Sequence, residues 1–134
     1  MKRRIPARRK VATVLSLIDD EQPKIAMGLT AGLPEFSTLA DVQREIEWYQ
    51  SNQDRELFMW QDPLSKHYTV VIGVEQVYSS VIVRLIAFGP EVDDAHRKAV
   101  GHDIYQALQQ RYPKQAIMGT ISNQKIVSGW AAYE

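Results

Sequence analysis

The stretch 68–88 reads YTVVIGVEQVYSSVIVRLIAF and holds two β-branched runs that meet at a short turn. Valine, isoleucine and aromatic residues favour strands, and turn residues mark where strands end. We predict one strand over 68–74, a turn over 78–80 and a second strand over 81–88. Strands this uniformly apolar usually lie inside a sheet whose two faces are covered. The sequence therefore predicts a sheet packed between two layers of helices.

Upstream of this hairpin the pattern predicts a strand over 11–18, two helices and a short aromatic strand over 56–60. Pro23 is placed to open the first helix. Ser37 or Thr38 is placed to cap the second, amphipathic helix. The apolar face predicted for that second helix consists of Leu39, Val42, Ile46 and Tyr49.

Downstream, Asp93 or Asp94 is placed to cap a long helix that Pro113 ends. A strand over 115–121 follows, and Asn123 is placed to cap a terminal helix. The predicted order is β-α-α-β-β-β-α-β-α, an α/β fold in which helices flank a mixed sheet. The apolar stripes of the two helices are Val100, Ile104, Ala107 and Leu108, and Ile126, Val127, Trp130 and Ala131.

Length and composition limit the class of protein. The chain has 134 residues, 45% of them hydrophobic and 24% charged, which is typical of one globular domain and excludes wholesale disorder. Cysteine is absent, which excludes disulfides and cysteine-ligated metals. No apolar run approaches the ~18 residues that span a bilayer. We therefore expect a single domain over 11–134 in the cytoplasm, with no membrane contact.

Charge is unevenly distributed along the chain. The first ten residues carry six of the sixteen basic side chains and no acidic one. The remainder therefore has ten basic against sixteen acidic residues, a net charge of −6. We interpret 1–10 as a flexible basic arm. The acidic remainder argues against nucleic acid as the main partner, although binding of RNA or of an acidic partner through the arm stays open.

The order of elements resembles the GNAT acetyltransferase superfamily. Three segments, KIAMGL over 24–29, DRELFMW over 54–60 and IGVE over 72–75, also resemble the short RibT-type members found in bacterial riboflavin operons. The resemblance implies a GNAT-like sheet that lacks the family's last two strands. It also implies an acetyl-CoA-binding N-acetyltransferase that modifies an amine, with a link to riboflavin biosynthesis.

The resemblance places the CoA pyrophosphate at the start of the long helix, where free N–H groups and the helix dipole favour anions. The family's loop reads Gln/Arg-x-x-Gly-x-Gly/Ala, and the matching stretch over 96–101 reads HRKAVG. Gly101 keeps the last small position of that pattern. The cofactor-binding residues implied here are His96, Arg97, Lys98, Ala99, Val100, Gly101 and His102.

Two further parts of the CoA site follow from the same resemblance. The fourth strand is expected to splay from the fifth, so that Ile86, Ala87 and Phe88 bind the pantetheine amides as an added strand would. Asn123 and Trp130 are expected beside the thioester.

The predicted catalytic residues are Glu75 and Tyr133. Acetyl transfer to an amine needs a base, and Glu75 near the end of a central strand is the candidate. The family often places a tyrosine proton donor seven residues after the asparagine, but Trp130 stands there and an indole cannot serve as that acid. Tyr133 is therefore the reserve donor.

Several alternatives stay open. Arg84, inside an apolar strand, can pair with Glu75 or face a substrate groove. The histidines are too scattered for a metal site. A further alternative is that the chain is a GNAT-shaped module that binds CoA or a protein without catalysis. Because the chain stops after the last helix, the fifth strand, with Met118 and Ile121, leaves an apolar edge, and we expect a homodimer.

Overall fold

The computed structural model describes residues 15–17 and 23–133. The predicted order of elements is confirmed over these residues. The predicted arm over 1–10 and most of the predicted first strand lie outside the described residues. The elements are β1 (Leu15–Leu17), α1 (Pro23–Thr30), α2 (Leu39–Gln50), β2 (Arg55–Gln61), β3 (Tyr68–Val77), β4 (Ser80–Phe88), α3 (Asp94–Arg111), β5 (Ala116–Gly119) and α4 (Gln124–Ala132).

The five strands of the described residues form one sheet in the order β1-β2-β3-β4-β5. The first four are antiparallel neighbours, while β5 lies parallel to β4 because α3 crosses between them. The predicted fold class, a mixed sheet flanked by helices, is confirmed. In the described part of the chain, β5 is an edge strand.

Alternating side chains of β2–β4 divide the core between the two faces of the sheet. On one face, Val70, Ile72 and Val74 pack with side chains of α3 and α4 such as Ile104 and Trp130. On the other face the partners are α1 and α2, through Ala26, Val42, Ile46 and Tyr49. The predicted covering of both faces is therefore present.

Two of the predicted helix caps are formed. The Thr38 hydroxyl accepts the Asp41 N–H at 3.1 Å, and the Asp93 carboxylate accepts the His96 N–H at 3.0 Å. The expected apolar face of α2 is wrong at Leu39, which is 62% exposed at the first helical position. Asn123 stands at the N-cap position of α4, as predicted, but its side chain makes no capping bond to that helix.

A β-bulge in β4 shapes the centre of the sheet. Gly73 pairs with Leu85, whereas the next residue of β3, Val74, pairs with Val83. Arg84 is therefore the extra residue on β4. Bulges bend a strand and disturb its hydrogen-bond ladder, and this one lies where β4 leaves β5.

Candidate active site

Strands β4 and β5 form a fork. Their pairing runs from Ser80–Ala116 to Val83–Gly119 and then stops. The last backbone bond runs from the Thr120 N–H to the Val83 carbonyl at 3.3 Å. A Cβ at Gly119 would lie 2.8 Å from the Asn123 backbone. The chain thus turns into α4 through a space that only glycine fits. Within the described residues, no strand borders 84–88 on the β5 side.

The free edge of β4 presents peptide groups to this fork. Gly89 donates its N–H to the Thr69 carbonyl at 2.7 Å. Hydrogen-bonded and non-bonded pairs alternate along antiparallel strands, so the N–H and C=O groups of Ile86 and Phe88 point away from β3. The predicted splay of β4 from β5 is present, with those two residues at the open edge.

A groove of about 800 Å³ lies at the fork. Ile86, Phe88 and Trp130 give it an apolar wall, and the cations Arg97, Lys98 and Lys125 border it. Phe88 and Trp130 meet edge to face with ring centroids 6.3 Å apart. The remaining lining residues are Gly32, Leu33, Pro34, Asp94, Asn123, Ile126 and Gly129. The groove can therefore take an extended amide-bearing chain that carries an anionic group.

Part of the predicted cofactor set meets at this groove and part does not. The residues of that set that line it are Ile86, Phe88, Arg97, Lys98, Asn123 and Trp130. Ala87 is completely buried in the core on the opposite face of the sheet, because neighbouring side chains of a strand alternate.

The predicted phosphate loop is a stretch of helix. Helix α3 begins at Asp94, so 96–101 lies within its first turns. Gly101 is buried, and a Cβ there would overlap the indole of Trp130. Its small size therefore serves the packing of α3 on α4, which corrects the expected role in phosphate approach.

The other members of that stretch are engaged elsewhere. His96 bonds to Asp93 at 2.6 Å on the surface. His102 Nδ1 lies 2.8 Å from the Trp130 carbonyl oxygen, at the end of α4. Ala99 and Val100 are half-buried in α3, and Val100 packs on the core. None of these four residues lines the groove.

The two predicted catalytic residues lie away from the groove. Tyr133 caps the C-terminal end of α4, where its ring lies 5.7 Å from that of His102. The Glu75 carboxylate lies 3.5 Å from Arg84 and 3.6 Å from Arg55. Of the two alternatives for Arg84, the ion pair with Glu75 is present. The structure adds Arg55, which packs on the Trp48 ring at 3.7 Å from its centroid.

A second cavity, of about 820 Å³, borders the same part of β4. The loop between α1 and α2 separates the two, since Leu33 and Pro34 line the groove while Glu35 and Phe36 line the cavity. Its other lining residues are Asp41, Arg44, Glu45, Glu47, Trp48, Ser51 and Arg84. This cavity was not predicted from the sequence, because its signal is a set of acids on α2 that is typical of any exposed helix face.

Glu45 has the most distinctive environment in the cavity. Burial raises the pKa of its carboxyl group above the usual range, and nearby Glu35 adds to the increase. Arg84 opposes it by favouring the charged form. A half-buried carboxylate with a raised pKa is a stronger base than an exposed one.

Residues 15–17 and 23–133 also bear on metal binding and on membrane insertion. No group of three or more histidine, aspartate or glutamate side chains in those ranges is placed to hold a metal ion. No helix there is long and apolar enough to cross a membrane.

Comparison with known proteins finds relatives by sequence. Over 97 residues the chain is 30% identical to an uncharacterized N-acetyltransferase in the lysA 3' region of Bacillus methanolicus. The match covers 71% of this chain and 76% of that protein. No family model matches the chain.

Solved structures agree on the fold. A chimera of the Vibrio cholerae spermidine N-acetyltransferase SpeG with hSSAT has a TM-score of 0.63 at 11% identity, covering 87% of this chain and 78% of that one. The Acinetobacter baumannii aminoglycoside 6'-N-acetyltransferase AAC(6')-Ih has a TM-score of 0.62 at 12% identity, covering 90% of both.

The Vibrio cholerae spermidine N-acetyltransferase in complex with CoA and spermine has a TM-score of 0.60 at 10% identity. That match covers 87% of this chain and 76% of the other. The strand order, the fork between β4 and β5 and the relative in Bacillus methanolicus lead to the same conclusion. The chain belongs to the GNAT family of N-acetyltransferases.

Proposed function

We propose that this protein transfers an acetyl group from acetyl-CoA to a cationic amine. The observation that carries the proposal is the pair of cavities on the two sides of one stretch of β4. Ile86 and Phe88 line the groove at the fork, and Arg84 lines the acidic cavity. A thioester and an amine that enter from opposite sides would meet at this stretch.

The groove fits CoA in shape and in chemistry. The open edge of β4 at Ile86 and Phe88 would pair with the pantetheine amides, as an added strand does. Arg97, Lys98 and Lys125 would face the phosphates. The Asp93 carboxylate already accepts an N–H at the start of α3, so that N–H is not free to bind a phosphate. The positive charge for the phosphates would therefore come from the arginine and lysine side chains. Acetyl-CoA, when bound, supplies an activated acetyl group.

The acidic cavity supports a cationic acceptor. Its lining holds four carboxylates and two guanidinium groups, a surplus of negative charge that attracts an ammonium group. One guanidinium, Arg44, is bound to Asp41 at 2.5 Å. We propose that the Glu45 carboxylate accepts the proton that the ammonium group must lose. The free amine then attacks the thioester carbon, the C–S bond breaks, and the CoA thiolate leaves and takes its proton from solvent. The surroundings of Glu75, held between two arginines, favour a structural role for that residue.

Comparing two charge-removing variants separates these roles. We expect Glu45→Gln to lower turnover by about 100-fold, the low end for loss of a general base, with acetyl-CoA affinity unchanged. The pKa of Glu45 is raised, so this carboxylate takes up a proton at a higher pH than an ordinary glutamate does. As the pH is lowered, wild-type turnover should therefore begin to fall at that higher pH. We expect Glu75→Gln to lower stability and to leave that pH profile in place. A large loss of turnover in Glu75→Gln with little loss in Glu45→Gln would instead assign the role of general base to Glu75.

The function itself is tested by calorimetry with acetyl-CoA, followed by measurement of CoA release with a panel of amines that includes spermidine. Binding together with amine-dependent CoA release supports the enzyme. Binding without release on a broad panel supports a non-catalytic CoA-binding module. One observation favours that second candidate: among the described residues, Trp130 lines the groove and no tyrosine does. No binding at all would refute both.

Four finer expectations stay predictions: the RibT-type relationship with its link to riboflavin biosynthesis, a role for the basic arm, the cytoplasmic location and a homodimer. The dimer has one supporting feature, the edge strand β5, where Met118 is 41% exposed. We expect sedimentation at tens of micromolar to give twice the chain mass. A monomer under those conditions would exclude the dimer.

A further inference from the structure

The side chain of Asn123 is bound to β4. Its Nδ2 donates to the Val83 carbonyl at 3.2 Å and to the Arg84 carbonyl at 3.1 Å. The residue stands at the N-cap of α4 but makes no capping bond there. It also lines the groove at the fork. A single carboxamide therefore connects the start of α4 to the point where β4 separates from β5.

The bulge at Arg84 explains why β4 needs this donor. A regular strand turns successive carbonyls to opposite sides, whereas the bulge leaves those of Val83 and Arg84 both within reach of Nδ2. The residue after β5, Thr120, also donates its N–H to the Val83 carbonyl. Without Asn123 the Arg84 carbonyl would lose this donor, and the start of the open edge of β4 would no longer be held to α4.

The next residue binds the other strand of the fork. Gln124 Oε1 accepts the N–H of Gly119, the last residue of β5, at 2.8 Å. Consecutive side chains at the start of α4 thus hold both strands, Asn123 on β4 and Gln124 on β5. Since the turn at Gly119 has no room for a Cβ, the separation of the strands is fixed from both sides.

We infer that Asn123 is a positioning residue, which fixes where the open edge of β4 begins and thereby aligns Ile86 and Phe88 for the CoA chain. Asn123 acts through the carbonyls of Val83 and Arg84. The part of this inference that concerns CoA rests on the proposed function. The part that concerns the fork does not.

The test uses Asn123→Asp, which keeps the shape and replaces a donor by an acceptor facing two carbonyl oxygens. We expect amide hydrogen exchange to speed up over 83–88 and 119–120, with the core of α3 around Ile104 unchanged. Calorimetry should show acetyl-CoA bound about tenfold more weakly, the loss expected for about one hydrogen bond. Asn123→Ser keeps one donor, so its exchange rates and its acetyl-CoA affinity should lie between those of the wild type and those of Asn123→Asp. Asn52→Asp, the same change at an exposed residue remote from the fork whose side chain only accepts a bond, should match the wild type.

The possible outcomes distinguish the inference about Asn123 and the fork from the proposed function. Faster exchange at the fork in a protein whose wild type does not bind acetyl-CoA would support the positioning of β4 and refute the proposed function. Wild-type exchange over 83–88 in Asn123→Asp would overturn the inference. Equally fast exchange at Ile104 would indicate general destabilisation and would overturn it too. If Asn123→Asp does not fold, the same comparison of 83–88 with Ile104 in Asn123→Ser decides.

Discussion

Replacing Gly101 with alanine is expected to destabilise the protein by about 1–3 kcal/mol, the usual cost of overpacking. The same substitution in an exposed helix normally stabilises by about 1 kcal/mol. The sign reverses here because a Cβ at Gly101 would overlap the indole of Trp130, which is only 2% exposed. Urea unfolding of the wild type and the variant measures the difference.

Repeating Gly101→Ala in a variant that lacks the Trp130 indole shows whether the indole causes the loss of stability. Trp130→Ala should by itself cost about 3–5 kcal/mol, because it empties a large buried site. In that background Gly101→Ala should become neutral or stabilising, since the Cβ then has room. The double-mutant cycle should therefore show a strong coupling of the two positions. If Trp130→Ala does not fold, Trp130→Leu serves as the background. Equal effects of Gly101→Ala in both backgrounds would contradict the proposed contact.

Introducing glutamate at Gly129 is expected to abolish acetyl-CoA binding while leaving the fold intact. Gly129 lines the groove, and nothing lies within 4 Å of a Cβ added there. The new side chain would occupy the groove and place a negative charge near the site proposed for the phosphates. We expect calorimetry to show a loss of at least about 100-fold, roughly 2.7 kcal/mol. The free energy of unfolding should not fall, since glycine is a poor helix former.

Gly28→Glu is the matched control. Gly28 also lies in a helix with nothing within 4 Å of an added Cβ, but it does not line the groove. It should bind acetyl-CoA as the wild type does and show a similar change in stability. Retained affinity in Gly129→Glu would show that CoA does not use this groove, and an equal loss in both variants would point to a general effect of added charge.

The elements could be predicted because their signals are local. Two β-branched runs on either side of a short turn form β3 and β4. Thr38 caps α2, and Asp93 caps α3. A strand's pattern and a helix cap depend on residues a few positions apart. The splay of β4 from β5 was predicted only through the family resemblance.

The functional site required the tertiary structure. Gly101 and Trp130 are far apart in the sequence, and only their packing shows that the glycine makes room for an indole. The bulge at Arg84 depends on its register with β3, and that bulge gives the Asn123 amide its partners in place of a helix cap.

The sequence by itself determined the order of strands and helices, the covering of both sheet faces and the absence of cysteine chemistry. Periodicity, caps and composition suffice for these properties, since each depends on residue type or on short-range spacing. Only the tertiary structure decided which candidate residues share the groove, that Glu75 lies between Arg55 and Arg84, and that an acidic cavity borders β4. Each of those features depends on side chains that the folded chain brings together from distant positions.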